Sequence, residues 1–188
     1  DAPAKYSVLR KHDRGLKLGN PGTSSETLEG FIDNPELTYN DLHRIAQHPN
    51  TSEDMLRQLI HIDVRSRDYM GAMTLRPLAA VHGDGGVKDY GVSLKAVVAQ
   101  RAASPEVLEE LWEITWSKYQ EHLEKTAERL RKSPYNKERP DWYASVSPRQ
   151  FQRLKEFFMP VWKKIAWNPM VATSTLEEIL EKAKPSQY

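Results

Sequence analysis

Cysteine is absent from all 188 residues, which excludes disulfides, thiolate catalysis and thiolate metal ligation. A dominant charge sign is missing too: 27 Lys and Arg against 26 Asp and Glu leave a formal net charge of +1, so the global balance names no partner. No apolar run reaches the roughly 20 residues that a membrane-crossing helix needs, and no charged start leading into an apolar stretch marks a signal peptide. Sustained two-residue alternation is also lacking, so essentially no sheet is expected.

Chemical motifs are missing as well. The six histidines fall into neither HExxH nor ExxH spacing, and His43 and His48 stand on different faces of any helix. His82-Gly83-Asp84-Gly85-Gly86 is a clear loop, but no strand precedes it and no Lys-Ser or Lys-Thr follows, so it is not a phosphate cradle. GxSxG does not occur. A non-enzymatic protein without cofactor or metal is therefore expected. The chain opens DAPAKYS without an initiator methionine, which implies the removal of a signal or of a longer N-terminus. A cytoplasmic location is expected, with export left open.

Internal repetition is what the chain has. Ile45 to Ile60, IAQHPNTSEDMLRQLI, returns at Ile165 to Leu180 as IAWNPMVATSTLEEIL, with Ile45, Ala46, Pro49 and Leu56 falling on Ile165, Ala166, Pro169 and Leu176. A looser copy, VAQRAASPEVLEELW, lies at Val98 to Trp112, and FIDNPELTYNDLHRIA begins at Phe31. Each copy reads as helix, tight corner, helix. The apolar pair ends one helix, and proline disfavours the helical region for the residue before it. A hydroxyl then caps the next helix: Thr51 or Ser52, Ser104, Thr173 or Ser174.

Those residues resemble the leucine-rich repeat variant family and its HEAT-like relatives, whose unit reads roughly VAxNPxTPxEVLxxLA. The resemblance covers a quarter to a third of the chain, and long inserts separate the copies. It implies an all-α, irregular solenoid-like array of helix pairs, here with a long inserted helix, that acts as a binding scaffold. The iron-sulfur cluster attached to one member of that family is excluded by the absence of cysteine.

Taken in order, residues 1–22 read as a polar surface arm, because Gly15, Gly19 and Pro21-Gly22 fall too densely for a stable helix. Residues 23–188 then form a single helical domain, with candidate subdivisions near 83–91 and 133–146. Thr23 with Glu26 offers a capping box for a short helix stopped at Asn34-Pro35. Thr38 with Asp41 starts another, which carries Leu42, Ile45 and Ala46 inward. Met55, Leu56, Leu59 and Ile60 form the next stripe. Asp63-Val64-Arg65 reads as a further helix start, with a break or kink at Pro77, and Ser93 caps Leu94 to Gln100. Ser104 opens a rod of about 40 Å at 1.5 Å per residue, apolar along Leu108, Leu111, Trp112, Thr115, Tyr119, Leu123, Ala127 and Leu130. Ser147-Pro148-Arg149-Gln150 caps a helix from Phe151 to Ile165 that Pro160 should kink. Thr173 to Ala183 closes the array with a polar outer face.

One region departs from the even charge. Eleven basic and four acidic residues between Lys125 and Lys164 give a local excess of +7. Tyr135, Trp142 and Tyr143 are interleaved within a loop from Ser133 to Ser145, a mixture that suits phosphate contact with base stacking. The candidate binding residues are accordingly Arg131, Lys132, Tyr135, Lys137, Arg139, Trp142, Tyr143, Arg149 and Arg153. A protein partner is expected first and nucleic acid second, with oligomeric state left open.

Overall fold

Helices account for all the regular structure among the described residues, and no strand occurs there. The computed structural model describes residues 11–32, 34, 37–62, 92–132 and 140–183. The expectations for Asp63, Pro77 and the 82–86 loop lie outside these residues. The chain divides into two compact units, Asp1–Ala103 and Ser104–Tyr188. No helix among the described residues is long and apolar enough to cross a membrane.

The first unit holds α1 (Lys11–Gly19), α2 (Ser25–Ile32), α3 (Tyr39–Gln47), α4 (Glu53–His61) and α5 (Val92–Arg101). Helix α3 packs on α1, α4 and α5, and α4 also packs on α2 and α5. The apolar spacing explains that arrangement: Leu42, Ile45 and Ala46 on α3, Met55, Leu56, Leu59 and Ile60 on α4, and Leu94, Val98 and Ala99 on α5 are all buried. Thr38 and Asp41 form the expected capping box, with Asp41 N donating to Thr38 Oγ1 and Thr38 N to Asp41 Oδ2.

The N-terminal stretch departs from its reading as an arm without helix. Gly15, in the interior of α1, costs about 1 kcal/mol relative to alanine, yet the helix forms because the rest of the unit holds it. Leu18 is buried, and the Arg14 guanidinium sits 3.2 Å from Asp41 Oδ2 with both side chains buried. That approach is electrostatic rather than a directed hydrogen bond, since Arg14 Nε finds no aligned acceptor. Two caps differ as well. Ser24, not Thr23, accepts from Thr27 N at the start of α2, while the Thr23 hydroxyl donates to Lys17 O. Ser93 lies inside the first turn of α5, where its hydroxyl meets Tyr39 and His43 and so ties α5 to α3.

The second unit holds α6 (Pro105–Lys132), α7 (Pro140–Ala166) and α8 (Thr173–Lys182). Helix α6 packs along α7, and α8 rests on both. Trp112, Tyr119, Phe157, Phe158 and Trp162 fill the space between them, with Trp112 and Trp162 edge to face at 5.7 Å. Burying an indole leaves an N–H to satisfy. Trp162 Nε1 donates to Thr115 Oγ1 (3.1 Å), which hands its own hydrogen on to Leu111 O (2.8 Å). Trp112 Nε1 donates to Glu178 on α8 (2.6 Å).

Helix α7 is longer than expected. It begins at Pro140 rather than after Ser147, and neither Pro148 nor Pro160 ends it. Both prolines are exposed, and so is Glu156, whose carbonyl loses its donor to Pro160. At α8 the N-cap is Ala172 with no side-chain bond, so neither Thr173 nor Ser174 serves.

Two corners share one hydrogen-bond pattern in full, and the copy that begins at Phe31 repeats its backbone bonds, Asn34 N donating to Phe31 O (2.9 Å) and Leu37 N to Asn34 O (3.2 Å). His48 N donates to Ile45 O (3.0 Å) and Asn168 N to Ile165 O (3.1 Å). Thr51 N donates to His48 O and Val171 N to Asn168 O, both at 3.1 Å. The buried side chain before each proline then turns back on the corner: His48 Nδ1 accepts from Asn50 N (3.1 Å) and Asn168 Oδ1 from Met170 N (2.8 Å). Pro49 and Pro169 therefore occupy equivalent bends. The copy at Val98 differs. Arg101 stays helical and reaches across to donate to His48 O (3.0 Å), while Ala103 N donates to the Glu53 carboxylate (3.1 Å). Ser104 accepts from Val107 N, as expected of a cap.

Candidate binding surface

An α-helix turns 100° per residue, so positions 149, 153, 156, 160 and 163 of α7 fall along one face. Arg149, Arg153, Glu156, Pro160 and Lys163 are all exposed there, opposite the buried Leu154, Phe158, Val161, Trp162 and Ile165. Trp167 continues the same line just past the helix end, its N–H still bonded to Lys163 O (2.9 Å). Arg149 to Trp167 spans about 27 Å at helical rise.

The one carboxylate on this face, Glu156, bonds Gln152 (3.0 Å) and not a cation. Among the described residues no carboxylate lies within ion-pair distance of Arg149, Arg153, Lys163 or Lys164. Helix α6 is arranged oppositely. Glu121 holds Lys118 and Lys125, and Glu128 holds Lys132 (2.6 Å), so every lysine of α6 has a carboxylate. Lys125 and then Lys118 pull the Glu121 carboxyl down to about 2, and Lys132 lowers that of Glu128. Glu178 is likewise held below the usual carboxylate range by Lys182 and then by the Trp112 indole.

The nine candidate binding residues fare differently. Arg149 and Arg153 stand one turn apart on the exposed face of α7. Lys132 spends its charge on Glu128, and Arg131 Nε donates to Ala127 O (3.3 Å) in its own helix. Tyr135, Lys137 and Arg139 lie outside the described residues. Trp142 and Tyr143 belong to α7 rather than to a loop, and their side chains lie outside the described residues. The structure thus brings together two of the nine.

Sequence reasoning passed over the apolar end of the face. Trp167 is 74% exposed and Met170 44%. Both sit at the second corner, where the first has Gln47 and Asn50, so aligning the two copies would have shown an indole and a thioether in place of two amides. No group of three or more His, Asp or Glu side chains is placed to hold a metal among the described residues. Comparison with protein-family models, with curated proteins and with solved structures returns no match for this chain.

Proposed function

We propose that this protein is a non-enzymatic binding scaffold, an irregular solenoid-like array of helix pairs with the long α6 inserted, whose outer surface recognises a macromolecular partner. The observation that carries the reading is the exposed face of α7. Arg149, Arg153 and Lys163 on that face, with the half-exposed Lys164 beside them, outnumber Glu156 and are not ion-paired among the described residues, and charge of this kind steers and orients an acidic partner. The shared bond pattern of the Pro49 and Pro169 corners supports the repeat architecture. A protein partner is the first reading.

The spacing of Arg149, Arg153, Lys163 and Lys164 over about 22 Å of helix also suits a run of phosphates, which favours nucleic acid as the second reading. Arg131, Lys132, Tyr135, Lys137, Arg139, Trp142 and Tyr143 then extend the contact. Retention of the intact chain on immobilised single-stranded oligonucleotide, followed over a range of salt, separates the two. The scaffold reading expects no retention at physiological salt. Tight retention, with affinity falling by about 0.7 log unit per log unit of salt for each phosphate contacted on a single strand, would establish the second reading. In either case Arg149→Glu with Arg153→Glu should weaken partner binding about tenfold or more.

A further inference from the structure

We propose that the Trp167–Met170 corner is the docking site for an acidic peptide segment of a partner protein, one that carries an apolar anchor side chain between its carboxylates. The proposal rests on the scaffold reading above and assigns it a partner chemistry.

The first corner shows how a bend of this geometry is covered. The α1–α2 turn lies on it: His48 Nε2 donates to Asn20 O (2.8 Å), and Asn50 Nδ2 donates to Pro21 O (3.1 Å) and Thr23 O (2.8 Å). Arg101 closes the other side through Gln47 O and His48 O. Its outward positions are amides, and amides suit a cover made of backbone carbonyls. The second corner repeats the backbone pattern but presents Trp167 and Met170 to solvent. Indole and thioether are the side chains that form adaptable apolar contacts at interfaces, so the cover they call for is an apolar side chain.

Charge fixes the rest of the partner. Lys163 stands one turn before Trp167 on the same face and Lys164 follows it, and neither meets a carboxylate among the described residues, whereas Lys118, Lys125, Lys132 and Lys182 all do. Carboxylates within a turn or two of the anchor would complete these pairs. A peptide can set its carboxylates on the Lys163–Lys164 side of the anchor and away from Glu177 and Glu181, which are exposed on α8, whereas a continuous anionic lipid surface cannot.

The test uses the full chain and a fluorescein-labelled peptide in which glutamates flank a leucine and a phenylalanine, read by anisotropy. Controls replace the glutamates by lysine or the apolar pair by serine, and phosphatidylserine vesicles are run alongside. Binding is expected for the acidic apolar peptide alone, and at least about tenfold weaker for Trp167→Ala and for Lys163→Glu with Lys164→Glu. The thermal midpoint should hold, since these side chains are not buried. Equal binding by all variants, no binding of the acidic peptide, preference for vesicles, or self-association abolished by Trp167→Ala would each overturn the proposal. Loss of binding in Arg149→Ala with Arg153→Ala but not in Trp167→Ala would overturn the corner and leave the scaffold reading standing.

Discussion

His48 and Asn168 do the same work with different chemistry. An imidazole that accepts from Asn50 N at Nδ1 must carry its hydrogen on Nε2, which is where it donates to Asn20 O. An asparagine offers one acceptor oxygen and an N–H donor on a similar reach, and Asn168 already uses the oxygen in that way. His48→Asn should therefore stay within about 1 kcal/mol of the wild-type stability. His48→Ala removes the acceptor of Asn50 N and one of the two donors to Asn20 O, which keeps Thr23 N, and two bonds at about 0.5–1.5 kcal/mol each make the cost about 1–3 kcal/mol. Urea unfolding of the two variants checks the pair, and a His48→Asn loss as large as that of alanine would show that the ring's packing, not its bonds, holds the bend.

At the scale of elements, α6 is a long helix that carries its own electrostatic support. Glu121 titrates at about 2 when folded, below an ordinary carboxylate, because Lys125 and Lys118 favour its charged form. A depressed folded value means that the contribution is complete above the unfolded carboxylate range near ~4.3 and disappears as pH falls toward 2. All three side chains are more than a third exposed, so solvent screening limits each pair to about 0.3–0.5 kcal/mol. Glu121→Gln removes both pairs and should lower stability by about 0.6–1 kcal/mol at neutral pH and low salt, and the difference should shrink in about 1 M salt. Chemical denaturation at both salt concentrations measures it. The apolar stripes of α3 and α4, the Thr38–Asp41 box and the two proline corners were legible in the sequence, since each depends on residues within a few positions of one another. What was not legible depends on partners far along the chain. Helix α1 survives Gly15 through Asp41, α7 runs through its prolines because they face outward, and α8 needs no hydroxyl cap while Ile179 is buried and Glu178 is bonded to Trp112. Nor was the exposed Trp167 legible, because the repeat is defined by the positions that agree, and an indole opposite Gln47 is one that does not.

At the scale of the whole molecule, the two units differ in what their interiors are made of. The first is aliphatic, with Phe31 its one buried aromatic among the described residues, whereas Trp112, Tyr119, Phe157, Phe158 and Trp162 dominate the second. Trp112, Trp116, Trp142, Trp162 and Trp167 are the chain's five tryptophans, and all of them belong to the second unit. Intrinsic tryptophan fluorescence therefore reports on the second unit, while far-ultraviolet circular dichroism sums the helices of both. If each unit unfolds on its own interior, the two probes must give different denaturation curves, because coincidence of probes is the mark of one cooperative transition. The expected outcome in urea is a single fluorescence transition and a broader or two-step loss of helical signal. Thr115→Val removes the hydroxyl that accepts from Trp162 Nε1 and should move the fluorescence midpoint down by about 1–3 kcal/mol of stability, leaving the remaining part of the dichroism curve in place. Superimposable curves that shift together in the variant would instead make the two interiors one cooperative unit.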